Sequence, residues 1–350
     1  MLVLLGHCCS YYATPDWFGR LEIGAVNGEA SVVIFFVLSG YVLARMLEGA
    51  ALGASGVLSY LSRRLFRIYP ALWVASLLAL VYVVYFHAQI PVPGTSDWFQ
   101  DRFKVSHYNA LGIAASFAGL LAFLIPPVWS ICVELVGSVG IVALRLVSNR
   151  RPVFIGVGLA LLLISYTIGP YTYYSVGTFM LEFWIGYALF LTVMGGARAL
   201  DLPRFAQMLA TVLAVVFVVG GQYFGQGGTN PTVTLAYAVA AVVFIVGSVK
   251  QWRGFGFLKR RSLVALGDWS YSLYLLHFTV MCGVAKAMQL LGASALDSVT
   301  RSLLLCVLTT VITIPLSALA YRYVELPGIA LGNRVSAAMG LRRSPVTAGA

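Results

Sequence analysis

The stretch SVVIFFVLSGYVLAR, residues 31–45, decides the fold class of this chain. It is apolar up to Arg45, and with its flanks it approaches the ~20 residues that a helix needs to cross the hydrocarbon of a bilayer. The whole chain of 350 residues is 60% hydrophobic and only 10% charged, whereas a soluble domain carries roughly a quarter charged residues. A membrane barrel would show short alternating segments instead of continuous apolar runs. The sequence therefore predicts an all-α, polytopic integral membrane protein.

Ten segments of this kind predict the membrane spans. They cover about 1–12, 29–47, 66–87, 128–147, 152–170, 177–194, 205–222, 231–249, 266–290 and 300–322. The first is short and lacks the basic region and cleavage site of a signal peptide, so we expect its helix to begin upstream of Met1. A full crossing within 88–127 would move every later loop to the opposite side of the membrane and spoil the distribution of basic residues. We therefore predict an outer loop with a re-entrant or interfacial helix there. We expect one transmembrane domain over 1–330 and a mobile cytoplasmic tail over 331–350.

Basic residues predict the orientation. With the N-terminus inside and the spans alternating, 18 of the 23 lysines and arginines lie on the cytoplasmic side, which is the positive-inside pattern of a plasma (inner) membrane protein. Both termini are then cytoplasmic. This loop bias explains the net charge of +11 without a nucleic-acid partner.

Ionisable groups inside the apolar segments are the first functional candidates, because they are costly in a membrane unless they face a protein interior or water. His7 lies in VLLGHCCSYY, residues 3–12, as either a functional imidazole or a packed histidine. Glu134 lies in PPVWSICVELVG, residues 126–137. It can orient an imidazole, bind a cation, hold a sugar hydroxyl or pair with an arginine. Glu182, in FMLEFWIGY, is a second acid inside an apolar segment, and we expect it to contact a substrate.

Two further motifs offer polar faces. In RRLFRIYP, residues 63–70, a cluster of arginines at helical spacing suits phosphate oxygens or serves as a cytoplasmic anchor. In GDWSYSLYLLHF, residues 267–278, side chains three apart line one helix face, as a channel wall or as an interhelical hydrogen-bond ladder. Ser39 interrupts an apolar wall, where packing alone is the simpler explanation. The five cysteines show no metal-ligand spacing, so no metal site is predicted.

In this order along the chain, the motifs resemble the membrane-bound acyltransferase family 3, whose members O-acylate surface polysaccharides. The matching stretches are His7, FFVLSGYVL (35–43), RRLFRIYP (63–70), VWSICVEL (128–135), SYSLYLLH (270–277) and YRYVELP (321–327). The resemblance implies transfer of an acyl group, acetyl being the expected one, from cytoplasmic acyl-CoA to an acceptor at the outer side. It also implies that His7 matches the essential histidine, and Arg64 and Arg67 the family's Arg-x-x-Arg. An arginine about three helical turns before that histidine has no counterpart here.

These observations together give a set of expected roles. His7 acts as the base or carries the acyl group briefly, and Glu134 orients it or engages the acceptor. The residues expected at acyl-CoA, a co-substrate and not a bound cofactor, are Arg63, Arg64 and Arg67 for the phosphates and Tyr271, Tyr274 and His277 along the thioester arm. The residues expected at a carbohydrate or glycolipid acceptor are Ser39, Trp129, Ser130 and Glu182.

Two other functions remain open from the sequence. A transporter or flippase for a lipid-linked glycan would place broken helices in corresponding positions of inverted halves, and the sequence shows no internal repeat. A glycosyltransferase would present acidic residues on an outer loop, where Asp97 and Asp101 are the only such pair. The sequence assigns no oligomeric state.

Overall fold

The structure is a computed structural model that describes residues 1–48, 53–87, 92–102, 108–168, 177–196, 200–223 and 230–339. In these residues regular structure is helical and no β-strand forms, apart from an isolated bridge between Tyr12 and Thr95. The predicted all-α fold class is thus confirmed.

Fifteen α-helices make up the described chain. They are α1 (Leu2–Cys9), α2 (Asp16–Ala25), α3 (Gly28–Glu48), α4 (Ala54–Tyr82), α5 (Asp97–Arg102), α6 (Ala110–Phe117), α7 (Trp129–Val147), α8 (Arg151–Ile168), α9 (Met180–Met194), α10 (Arg204–Gly220), α11 (Pro231–Val249), α12 (Arg261–Asp268), α13 (Ser270–Leu290), α14 (Ser298–Ala320) and α15 (Leu326–Ala338). Eight helical segments are long and apolar enough to cross a membrane: Gly28–Glu48, Ala54–Phe86, Pro126–Val147, Arg151–Ile168, Arg204–Tyr223, Pro231–Val249, Ser270–Leu290 and Ser298–Ala338.

Several helix boundaries differ from the predicted spans. α1 has 8 residues and α9 has 15, so both are shorter than the ~20 residues of a full crossing. α4 begins at Ala54, well before the predicted start near residue 66, so the arginine motif lies inside a helix. In the segment that we predicted as an outer loop, α6 has 8 residues, too few for a full crossing. The tail expected from residue 331 is helical as far as Ala338, and residues 340–350 lie outside the described chain.

The contacts divide the chain, which we expected to form one domain over 1–330, into two compact units. The first comprises Met1–Gly28, Arg67–Cys132 and Ala265–Ile329. Within it α14 packs against both α13 and α1. The packed face of α14 carries small hydroxyl side chains, which let helix backbones approach closely. These fully buried residues are Ser302, Thr309, Thr313 and Ser317.

A carboxylate from a distant part of this unit caps the N-terminus of α13. Glu325 accepts a hydrogen bond from the backbone N–H of Ser272 at 3.0 Å and another from the Ser272 hydroxyl. Ser272 is the third residue of α13, so its N–H is one of the four that lack a partner within the helix. The carboxylate satisfies this donor and places negative charge at the positive end of the helix dipole. It therefore fixes where α13 begins.

The second unit comprises Glu29–Phe66, Val133–Val264 and the chain from Ala330. Here α3 and α9 cross with their backbones in contact, because both carry glycine at the crossing. A Cβ atom at Gly40 would lie 2.9 Å from the Cα of Phe183, and one at Gly186 would lie 2.7 Å from the backbone N of Tyr41. No larger residue fits at either position without moving a helix.

Candidate active site

His7 of α1 lies in the first unit, where its imidazole contacts His277 of α13. The Nδ1 atom of His7 is 2.8 Å from the Nε2 atom of His277, the ring centroids are 5.1 Å apart, and the two ring planes are 8° apart. No local sequence pattern indicates this pairing, because 270 residues separate the two histidines.

Aromatic side chains surround this histidine pair. Trp98 of α5 stacks on the His7 ring with centroids 5.4 Å apart. The ring of Phe278 meets His7 and His277 edge-on, at 80° and 83°. Aromatic contacts of this kind hold a ring in place without offering it a proton. Trp98 has no role predicted from the sequence, because no local sequence pattern places a loop tryptophan beside a histidine on α1.

His277 is fully buried, and both of its ring nitrogens have partners. Its Nδ1 atom is 2.7 Å from the backbone carbonyl oxygen of Tyr274, one helical turn earlier. The same tyrosine donates its phenolic O–H to the carbonyl of Pro127 at 2.7 Å and accepts from the Ser130 hydroxyl at 2.8 Å. Tyr274 therefore ties α13 to the segment that precedes α7, which is the hydrogen-bond ladder that the sequence left open.

Tyr271 makes a second tie within this unit. Its O–H donates to the backbone carbonyl of Ile68 on α4 at 2.8 Å. The two tyrosines that the motif places on one helix face therefore both anchor α13 to neighbouring segments. Their expected role along the thioester arm stays a prediction.

The end of α1 is held through a carboxylate that lies outside the long membrane helices. Ser10 donates its hydroxyl hydrogen bond to Glu22 of α2 at 2.6 Å. Burial raises the pKa of the Glu22 carboxyl, and the bond from Ser10 opposes that shift. A Cβ atom added at Gly28 would lie 3.8 Å from the Cα of Val3, so the chain at Gly28 also passes close to α1.

A buried ion pair lies in the second unit. Arg64 of α4 donates from Nη2 to Glu134 of α7, and its Nε donates to the hydroxyl of Ser138 at 3.3 Å. Arg64 and Glu134 are each nearly excluded from solvent. Pairing with an arginine was one of the roles that the sequence left open for Glu134. The other arginines of the motif differ in exposure, since Arg63 is half-buried and Arg67 is exposed.

The residues expected at an acceptor are distributed over both units. Trp129 and Ser130 belong to the first, and Ser39 and Glu182 to the second. Glu182 is 1% exposed, and its Oε2 atom is buried with no hydrogen-bond partner in the part of the chain that the structure describes. Ser39 and Ser130 are also buried, and Trp129 is partly exposed.

The described residues include no group of three or more His, Cys, Asp or Glu side chains placed to hold a metal ion. In the first unit, the imidazole pair with its aromatic surroundings can perform acid–base or nucleophilic chemistry. An imidazole can accept a proton near neutral pH or attack a carbonyl carbon.

Comparison with known proteins gives this chemistry a family. A model described as an acyltransferase domain matches residues 1–321. Acyltransferase MdmB of Streptomyces mycarofaciens is 24% identical over 308 residues, covering 77% of this chain and 74% of the relative. The peptidoglycan O-acetyltransferase OatA of Listeria monocytogenes is 23% identical over 340 residues, covering 87% of this chain but only 51% of that protein. No solved structure matches.

The family match spans both compact units and includes the histidine pair and the Arg64–Glu134 pair. Its length and the helical membrane fold agree with the resemblance that the motifs indicated. The chain belongs to the family of this acyltransferase domain and is a membrane-embedded O-acyltransferase.

Proposed function

We propose that this enzyme moves an acyl group, acetyl being the expected one, from acyl-CoA on the cytoplasmic side to a hydroxyl of a glycan or glycolipid on the outer side of the cell membrane. The positive-inside distribution of lysine and arginine supports this orientation, with both termini cytoplasmic. The name of the Listeria relative, a peptidoglycan O-acetyltransferase, supports acetyl as the group and a glycan as the acceptor.

The observation that carries the proposal is the hydrogen-bonded pair of His7 and His277 inside an acyltransferase fold. Acyl transfer to a hydroxyl needs a base at the nucleophile and a site that excludes water, which would otherwise hydrolyse the thioester. His7 takes the hydroxyl proton while the oxygen attacks the thioester carbon, or it carries the acyl group briefly and passes it on. Trp98 and Phe278 contribute the apolar walls of this site.

Acyl-CoA brings several phosphate charges, for which the arginine motif is the proposed site. Arg63 and Arg67 are four residues apart on α4, so they share one helix face. Arg67 is exposed, and its guanidinium group is the one most open to a phosphate. Arg64 contributes through its buried pair with Glu134, which holds α4 against α7.

The acceptor contacts predicted at Ser39, Trp129, Ser130 and Glu182 stay predictions. Among them, the buried Oε2 atom of Glu182 offers an acceptor of hydrogen bonds, which a sugar hydroxyl can use. Burial removes the water molecules that would otherwise hydrogen-bond to the carboxylate, and a hydroxyl of the bound glycan would take their place.

Membranes that contain the enzyme and receive labelled acetyl-CoA test the proposal. We expect label on outer glycan from the wild type and a loss of about 100-fold or more in His7→Ala, the usual contribution of a general base. His87→Ala, at the last residue of the segment Val83–His87, is the matched control because it makes the same substitution at another histidine of the chain. Both proteins are quantified in the membrane.

Retained labelling in His7→Ala would contradict the role of this histidine. No transfer by the wild type, together with movement of an intact lipid-linked glycan across the bilayer, would favour the transporter instead.

A further inference from the structure

The geometry of the histidine pair defines which nitrogen of His7 is basic. The two ring planes are 8° apart, the ring centroids are 5.1 Å apart, and Nδ1 of His7 lies 2.8 Å from Nε2 of His277. Because the centroids are so much farther apart than the two nitrogens, both nitrogens lie close to the line that joins the centroids. Nitrogen lone pairs and N–H bonds of imidazole lie in the ring plane. The contact is therefore an in-plane hydrogen bond between two rings side by side, and not a stack of their faces.

The direction of this bond follows from the other end of His277. The carbonyl oxygen of Tyr274 can only accept, so the His277 Nδ1 atom at 2.7 Å must carry the hydrogen. His277 is fully buried, where a charged ring is expensive, so its Nε2 atom is unprotonated and accepts. The hydrogen in the bond between the histidines then belongs to Nδ1 of His7. In a neutral His7 ring this leaves the lone pair on Nε2.

We propose that His277 is a positioning residue that holds His7 in its Nδ1–H tautomer and makes Nε2 of His7 the base for acyl transfer. The inference rests on the function proposed above and deepens it. It differs from the expected role of His277 along the thioester arm. The hydrogen bonds from the Tyr274 carbonyl through His277 to His7 correspond to those of a catalytic triad. A backbone carbonyl and a second imidazole take the place of the carboxylate.

The transfer step balances through this one atom. Nε2 of His7 takes the proton of the acceptor hydroxyl as its oxygen forms a bond to the thioester carbon. The carbon–sulfur bond then breaks, and the same proton passes to the leaving sulfur, which departs as the thiol of CoA. While His7 is an imidazolium, its Nδ1–H still donates to the lone pair on His277, which stabilises the charge.

The surroundings hold the Tyr274 carbonyl at its place. The phenol of Tyr274 is bonded to the carbonyl of Pro127 and the hydroxyl of Ser130, and Glu325 caps the start of the same helix. A carbonyl on a helix fixed at two places cannot readily turn away from His277. The tautomer is therefore set by backbone as well as by side chains.

Two substitutions of His277 separate positioning from packing. The side-chain oxygen of glutamine lies close to the place of a histidine Nε2 and can accept from Nδ1 of His7, whereas leucine fills space and accepts nothing. We expect His277→Leu to lower kcat about 100-fold with little change in the KM for acetyl-CoA, and His277→Gln to retain kcat within about tenfold. The leucine variant should also show a shifted pH profile of kcat. Equal losses in both variants with an unchanged pH profile would overturn the proposal.

A second measurement does not depend on the donor or the acceptor. In protein labelled with ¹⁵N-histidine and reconstituted in lipid, solid-state NMR reports which ring nitrogen carries hydrogen. We expect a protonated Nδ1 and an unprotonated Nε2 for His7, assigned with the His7→Ala variant, and a mixture of tautomers in His277→Leu. A protonated Nε2 in the wild type would refute the positioning role even if acyl transfer from acetyl-CoA is observed. The expected spectrum without any transfer would refute only the proposed function.

Discussion

Breaking the buried ion pair between Arg64 and Glu134 should destabilise the protein more than removing both partners. Each side chain is 8% exposed, so either charge left alone is isolated from water. Removing one partner of such a pair costs about 3–5 kcal/mol, while an apolar pair of similar volume is often neutral or stabilising. We therefore expect Glu134→Leu and Arg64→Met each to lower the free energy of unfolding by about 3 kcal/mol or more. The double variant should unfold within about 1 kcal/mol of the wild type.

Equilibrium unfolding in mixed detergent micelles measures these values as a double-mutant cycle, with an expected coupling energy of at least about 5 kcal/mol, the two single costs less the double. The exposed pair of Lys250 and Asp201 is the matched control, because its side chains are 31% and 61% exposed. Lys250→Met should cost no more than about 1 kcal/mol. Single Arg64 and Glu134 variants that cost as little as this control would refute the argument that burial makes the pair costly to break.

Three further predictions concern packing, donor binding and capping. Gly40→Ala forces α3 and α9 apart and should lower the melting temperature, at a cost of about 1–3 kcal/mol, whereas Gly156→Ala, where a Cβ meets no atom within 4 Å, should not. Arg67→Glu should raise the KM for acetyl-CoA at least tenfold, while Arg150→Glu, also exposed, should change the KM far less. If Arg67→Glu lowers only the yield of protein, the anchor interpretation of the motif is favoured. Glu325→Ala should destabilise the protein by about 1–2 kcal/mol in thermal unfolding, because the first turn of α13 loses its cap, and an unchanged midpoint would contradict that cap.

Hydropathy predicted most of the membrane helices because a bilayer demands a continuous apolar run whatever its neighbours are. It placed the start of α9 too early, because residues 177–179 form a turn and the helix begins at Met180, while the predicted and observed ends agree at Met194. It also placed the start of α4 too late. The helix begins at Ala54, in a stretch whose serines and arginines lower the hydropathy without ending the helix.

The candidate site was predictable residue by residue but not as pairs. His7 and Glu134 stood out because charged or titratable groups are costly in an apolar segment. Their partners, His277 and Arg64, are 270 and 70 residues away, and local spacing carries no signal for such contacts. Spacing also treated Arg64 and Arg67 alike, whereas tertiary packing buries the first and leaves the second exposed.

The length of α9 has a consequence for how the protein meets lipid. Its 15 residues rise only ~22 Å, against a hydrocarbon thickness of ~30 Å. Facing lipid, such a helix would thin the bilayer around it, and only seven of its 15 residues are buried. The apolar windows of Arg151–Ile168 and Arg204–Tyr223 are each only 17% buried, and these segments rise ~27 and ~30 Å. These two segments therefore have the length of an ordinary bilayer core, and we expect the lipid to be thinned where it meets the exposed part of α9.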